Sequence, residues 1–149
     1  MSRLQLALNV PDIDAAVTFY SRLFDTEPNK RKPGYANFAI ADPPLKLVLF
    51  EQADAGSRLN HLGVEVFSSD EVAAAQARLS DEGVPTAEEN GICCFAKQDK
   101  LWVDGPDGAW EIYTVLADSD EFGTSSAHAD DFQDPLCCSS TPESEARCC

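Results

Sequence analysis

Apolar and polar positions change period several times along the chain, and each change marks an element. From Leu4 to Asn9 they alternate, with Leu4, Leu6 and Leu8 on one face and Gln5, Ala7 and Asn9 on the other, as in a strand with two different surroundings. From Asp14 to Phe24 the period becomes helical: Ala16, Val17, Tyr20, Leu23 and Phe24 share a face behind a Pro11-Asp12 start. Strand-like runs follow from Tyr35 to Ala41 and from Leu45 to Glu51, around an Asp42-Pro43-Pro44 turn. The succession then begins again. His61-Leu62-Gly63-Val64-Glu65-Val66 repeats the pattern of Gln5 to Val10, and Asp70 to Ser80 repeats Asp14 to Phe24 at the same offset. In this second helix Ser68 and Glu71 have capping-box spacing, Val72, Gln76 and Leu79 form a weaker stripe, and Gly83 is the stop. Strands are expected at Cys93 to Lys97, Lys100 to Asp104 and Trp110 to Leu116, the last two joined by Gly105-Pro106-Asp107-Gly108. The pattern reads as an α+β fold, a duplicated βαβββ module spanning about residues 3–57 and 58–117.

Composition changes the picture after Leu116. From Asp118 onward the chain is rich in Ser, Asp, Glu and Ala and has neither period, which predicts a disordered acidic tail over 118–149 behind a folded domain of 1–117. His128 belongs to that tail and is expected to be solvated. Across the chain 26 acidic residues outweigh 11 basic ones, a formal charge of −15 that argues against nucleic acid and anionic membrane surfaces as partners. The N-terminal apolar run is broken by Asn9, Pro11 and Asp12, so a cytoplasmic protein is expected, without a signal peptide or membrane span. In that compartment thiols stay reduced, and the six cysteines point to metal, metalloid or redox chemistry. All six occur as adjacent pairs: Cys93-Cys94, Cys137-Cys138 and Cys148-Cys149.

The module order, the His61-Leu62-Gly63-Val64-Glu65-Val66 strand and the closing Gly105-Pro106-Asp107-Gly108-Ala109-Trp110-Glu111-Ile112-Tyr113 resemble the vicinal oxygen chelate superfamily, the glyoxalase, bleomycin-resistance and extradiol dioxygenase fold. The resemblance implies paired modules forming an open, U-shaped cavity around a divalent metal. Gln5 and His61 occupy equivalent places on the polar faces of the two leading strands. Glu111 stands in the middle of an apolar strand, where a carboxylate is costly to bury unless it is paired, for instance with Lys46 or Lys97, or binds a metal. Its counterpart in the first module falls near Leu47, which cannot ligate, so three protein ligands are expected: Gln5, His61 and Glu111. Such a set with open positions suits non-haem Fe(II), although glutamine where the family often has histidine leaves Mn(II), Ni(II) and Zn(II) open.

A single buried cysteine behaves as a small hydrophobe, but an adjacent pair is poorly explained that way. Two close thiolates suit trivalent arsenic or antimony, provided the strand twists or bulges so that both sulfurs reach one atom. Within the superfamily the chain resembles the ArsI organoarsenical carbon-arsenic lyases and the CadI cadmium-induced proteins. The likeness is carried by Pro33-Gly34-Tyr35-Ala36-Asn37-Phe38-Ala39-Ile40, Pro44-Leu45-Lys46-Leu47-Val48-Leu49, Asn60-His61-Leu62-Gly63-Val64-Glu65, Cys93-Cys94-Phe95-Ala96, Gln98-Asp99-Lys100 and the cysteine-bearing tail. It implies an Fe(II)- and O₂-dependent enzyme that cleaves the carbon-arsenic bond of a small trivalent organoarsenical, as a monomer or homodimer. Cys93 and Cys94 would bind the arsenic. Lys97 and Lys100 would lower a thiol pKa, residues 89–100 would form a mobile loop, and Cys137, Cys138, Cys148 and Cys149 would be accessory thiols. Two alternatives remain: a non-enzymatic arsenic, antimony or cadmium thiol-binding protein, and another metal-dependent reaction on the same fold.

Overall fold

The computed structural model describes residues 2–123 except Asp107, and the chain divides into two compact units, Ser2–Glu65 and the part from Val66 onward. The first holds β1 (Arg3–Val10), α1 (Ile13–Phe24), β2 (Lys30–Lys32), β3 (Tyr35–Ile40), β4 (Leu45–Glu51) and β5 (Leu59–Glu65). Its strand order is β2-β3-β4-β1-β5. β1 runs parallel to β4 and antiparallel to β5. The N-cap of α1 is Asp12, whose carboxylate accepts from the Ala15 amide at 2.8 Å, where the Pro-Asp start is expected. One face of the sheet and the inner face of α1 bury Val10, Ile13, Val17, Ala36, Phe38, Ile40, Leu47 and Leu49 together. Leu6 and Leu8 pack against this core, whereas Leu4 and Leu23, expected to join it, are exposed. Leu47 is opposite Leu6 in the ladder and sits in this core, away from the face that carries Gln5.

The second unit holds α2 (Ser69–Asp81), β6 (Thr86–Cys93), β7 (Ala96–Gly105) and β8 (Gly108–Asp118), the strands forming an antiparallel meander. The capping box closes as its spacing predicts: the Glu71 amide donates to the Ser68 hydroxyl at 3.3 Å, and Ser68 Oγ donates to the Glu71 carboxylate at 3.1 Å. Gly83 follows with φ +71, the left-handed conformation that ends a helix.

Two strands escape the hydrophobic pattern, β2 and most of β6. Lys30–Lys32 and, apart from Ala87, the stretch from Thr86 to Asn90 are polar, and hydrogen bonding to one neighbouring strand holds them in place. Gln98 and Asp99, expected in a turn between two strands, lie inside the continuous β7. There the Gln98 amide donates to the Cys93 carbonyl at 3.2 Å, and the Ser69 hydroxyl donates to Asp99. Residues 89–100 are therefore a hairpin in register rather than a loop. β8 runs to Asp118 and contacts continue to Gly123, past the expected boundary at 117.

Candidate functional site

Cys93 is the last residue of β6 and pairs with Ala96, the first of β7, so Cys94 and Phe95 alone make the turn. Both have positive φ, 54° and 63°. That is the backbone of a type I′ hairpin turn, and it answers how neighbouring thiols meet. In a strand they would point to opposite faces. Here the reversal at Cys94 brings its sulfur to 3.1 Å from that of Cys93. The ladder irregularity between Lys97 and Gln98 lies farther along β7, so the turn, and not a bulge, aligns the pair.

Alternation on the meander places Cys93 on one face with Glu89 of β6, Gln98, Lys100 and Trp102 of β7, and Glu111 and Tyr113 of β8. Cys93 is 2 % exposed and packs on Trp102. Trp102 donates its indole N–H to Glu89 at 2.7 Å, and the Lys100 ammonium lies 5.5 Å from the Trp102 ring centre. Lys100 Nζ is also 3.2 Å from Glu111 Oε2, with both side chains buried. Lys100, then, is the partner of Glu111 in this unit. Lys97 is exposed and alternates onto the other face of β7.

A buried ion pair of this kind couples the two residues to stability. Lys100→Ala leaves a buried carboxylate facing an apolar side chain and is expected to cost roughly 3–5 kcal/mol in urea unfolding, whereas Lys100→Ala with Glu111→Gln recovers much of the loss. Equal stability of the two variants would refute that coupling.

The Cys94 thiol has its pKa pushed well above the ordinary cysteine value, first by burial, then by the neighbouring Cys93. Lys100 pulls the other way and Glu111 pushes up. The lysine effect expected from the sequence is present, but desolvation outweighs it. Because the neutral thiol is favoured, iodoacetamide alkylation of Cys94 should lag behind that of a solvent-exposed cysteine as pH rises, with its midpoint on the alkaline side. Peptide mass spectrometry across a pH series measures this, and a midpoint at or below the free-cysteine value would contradict it.

In the other unit, Gln5 on β1 and His61 on β5 meet at 3.1 Å between their Nε2 atoms. The ladder places Ala7 opposite His61 and Gln5 opposite Gly63, so the two side chains are diagonal neighbours on one face. A register shift between Ala7 and Leu8 leaves Asn60 out of the ladder, and its side chain lies with that of His61 although the two residues are adjacent. Asn60 Nδ2 donates to Asn9 Oδ1 at 2.8 Å, and Asn9 Nδ2 donates to the Ser57 carbonyl at 3.0 Å. Asn60 therefore presents its oxygen to His61 Nδ1, 2.7 Å away, and the imidazole must donate there. That tautomer leaves a lone pair on Nε2, facing Gln5.

These donors fit a divalent ion. His61 has a basic nitrogen whose other ring N–H is anchored, as metal-bound histidines do. Gln5 is within hydrogen-bonding distance, and rotating its amide by half a turn presents Oε1 instead of Nε2. Glu111, the third expected ligand, lies in the second unit on the thiol-bearing face. Among the described residues no three His, Cys, Asp or Glu side chains cluster as a metal site. Asn60, Asn9, Gln98 and Trp102 were given no role in the sequence reading; the signal available for Asn60 was its place directly before His61. His128, Cys137, Cys138, Cys148 and Cys149 lie outside the described residues.

Residues 3–111 match the model of the Glyoxalase/Bleomycin resistance protein/Dioxygenase superfamily. The chain belongs to that superfamily. Its α+β architecture, read above as paired βαβββ modules, is the superfamily's fold. The cadmium-induced protein CadI of Mycobacterium tuberculosis is 63% identical over 142 residues, covering 93% of each chain. A trivalent organoarsenical cleaving enzyme of Thermomonospora curvata is 55% identical over 141 residues, covering 93% of this chain and 89% of that one. Among solved structures, the Mn(II)-bound glyoxalase of Novosphingobium aromaticivorans superposes with a TM-score of 0.56 at 21% identity, over 80% of this chain and 42% of that one. No helix among the described residues is long and apolar enough to cross a membrane.

Proposed function

We propose that this superfamily member cleaves the carbon-arsenic bond of trivalent organoarsenicals, methylarsenite and trivalent aromatic arsenicals, with Fe(II) and O₂, and releases arsenite. The observation that carries the reading is the 3.1 Å approach of Cys93 and Cys94 at the tip of the β6-β7 hairpin. Two sulfurs that close can both bond one soft, pyramidal atom, and arsenic(III) keeps its third bond to carbon. Gln5, His61 and Glu111 would hold the iron, which would supply a redox relay between O₂ and the carbon-arsenic unit, the source of the electrons. Trp102, against Cys93, gives that thiol a rigid apolar backing. Holding arsenic through two bonds restricts the direction of its carbon substituent, and such positioning lowers a barrier by roughly 7–11 kcal/mol at its upper limit. The 55% identity to an organoarsenical cleaving enzyme supports the same substrate class.

The test is direct: protein loaded with Fe(II) is given methylarsenite with and without air, and inorganic arsenite is measured. Arsenite formed only in air is expected; none in air removes the proposal. The 63% identity to CadI favours a second reading, in which the thiols sequester arsenic, antimony or cadmium without turnover. It predicts stoichiometric binding and no O₂ uptake. Under the lyase reading the tail cysteines collect substrate or receive arsenite, so a chain ending at Gly123 should keep kcat within about twofold while losing arsenical bound per chain. A kcat as low as that of Cys93→Ser would assign the tail to catalysis instead.

A further inference from the structure

The turn that joins the thiols is made of the wrong residues for its shape. Type I′ turns take Asn-Gly or Gly-Gly because both central residues need positive φ, and here Cys94 and Phe95, each with a Cβ, occupy those places at 54° and 63°. Non-glycine residues hold such angles when their surroundings leave no alternative. Gln98 and Trp102 supply part of those surroundings, and residues 119–123 another part. β8 ends opposite the start of β7, where Asp118 pairs with Ala96, and the chain then folds back over the hairpin tip.

Three contacts tie it there, two to Phe95 and one to Ile92. The Ser119 amide donates to the Phe95 carbonyl at 2.9 Å. The ring of Phe122 meets that of Phe95 edge-on, with centroids 5.1 Å apart. Gly123, at φ +70, lies so close to Ile92 that a Cβ there would stand 2.1 Å from the Ile92 carbonyl oxygen. The Glu121 amide donates to Ser119 Oγ at 3.1 Å and shapes the strap itself. Ile92 immediately precedes the thiol pair and Phe95 immediately follows it, so the strap grips both flanks and leaves the sulfurs uncovered by these contacts.

We propose that residues 119–123 are a positioning strap for the dithiol: they hold Cys94 in the left-handed conformation that sets its sulfur beside that of Cys93. Phe122 and Gly123 are its positioning residues. Without them the turn relaxes toward conformations that L-residues prefer, and Cys94 swings away while both thiols remain chemically competent. The significance for arsenic rests on the function proposed above; the strap's hold on the thiols does not.

The experiment uses the full chain with Cys137, Cys138, Cys148 and Cys149 changed to Ser, so that only the hairpin thiols report. Dibromobimane fluoresces only after both of its carbon-bromine bonds are replaced by carbon-sulfur bonds, with two bromides leaving, and so reads thiol spacing without arsenic. Phe122→Ala and Gly123→Ala are each expected to slow this cross-linking at least tenfold relative to the first alkylation step, with Phe122→Tyr restoring it. Phenylarsine oxide, which joins two thiols to phenylarsenic with loss of one water, should bind at least tenfold more weakly to both alanine variants. Cross-linking in Phe122→Ala as fast as in the parent, in protein that melts as the parent does, overturns the strap. If Gly123→Ala does not fold, Phe122→Ala and its tyrosine rescue decide. Cross-linking that depends on the strap in a parent that fails to bind phenylarsine oxide upholds the strap and removes the arsenic reading.

Discussion

Changing either Cys93 or Cys94 to Ser is expected to abolish measurable cleavage of methylarsenite and to weaken arsenical binding by roughly 10²–10⁴-fold, the range over which a second linked contact strengthens a first. The size follows from the geometry. With the sulfurs 3.1 Å apart, the second bond forms within the protein, and losing one thiol returns the arsenic to a single exchangeable bond. The two substitutions should fail differently. Cys93 is buried against Trp102, so Cys93→Ser also places a hydroxyl in an apolar contact and should lower stability, whereas Cys94→Ser at the half-buried turn should leave stability nearly unchanged. Arsenite release followed in air, with thermal melts on the same preparations, checks both. A Cys94→Ser protein with turnover near the parent's would reduce the pair to one working thiol and remove the basis of the proposed chemistry.

Much of the frame was legible before the structure because it follows from period alone. Alternation in Leu4 to Asn9 and again from His61 gives the two leading strands, and Asp12 and Ser68 mark the helix starts by capping chemistry. What escaped was set by neighbours. β6 is polar along most of its length and is a strand because it pairs with β7. The left-handed turn at Cys94 and Phe95 carries none of the usual turn residues, so the sequence there reads as continuous strand; the strap that holds it comes from residues more than twenty positions later. Phe122 and Gly123 lie in a stretch whose acidic composition reads as tail, and composition reports average tendency, not a specific contact. The thiol pair, Gln5 and His61 were singled out by residue type and repeat position. The mechanism that orients each of them was not.

His61→Ala is expected to abolish Fe(II) binding measurable by anaerobic titration, and Asn60→Ala to weaken it by roughly 10–100-fold, the usual cost of losing the group that orients a ligating histidine. The asymmetry comes from the relay Ser57 carbonyl, Asn9, Asn60, His61. Each amide donates toward the backbone end of the relay, which fixes the Asn60 oxygen toward the imidazole and the imidazole proton on Nδ1. Without Asn60 both tautomers become accessible, and the one protonated at Nε2 has no lone pair on the nitrogen that faces Gln5. Asn9→Ala should act through Asn60 and weaken binding less, because the Asn60 amide can still face His61 in one of its two orientations. Histidine NMR separates this from a loss of fold: in the parent the imidazole carries its proton on Nδ1, and in Asn60→Ala a mixture of tautomers should be seen with the rest of the spectrum retained. Unchanged Fe(II) affinity in Asn60→Ala would mean that the relay serves the packing of β1 on β5 and not the ligand, and His61 would then have to be oriented from elsewhere.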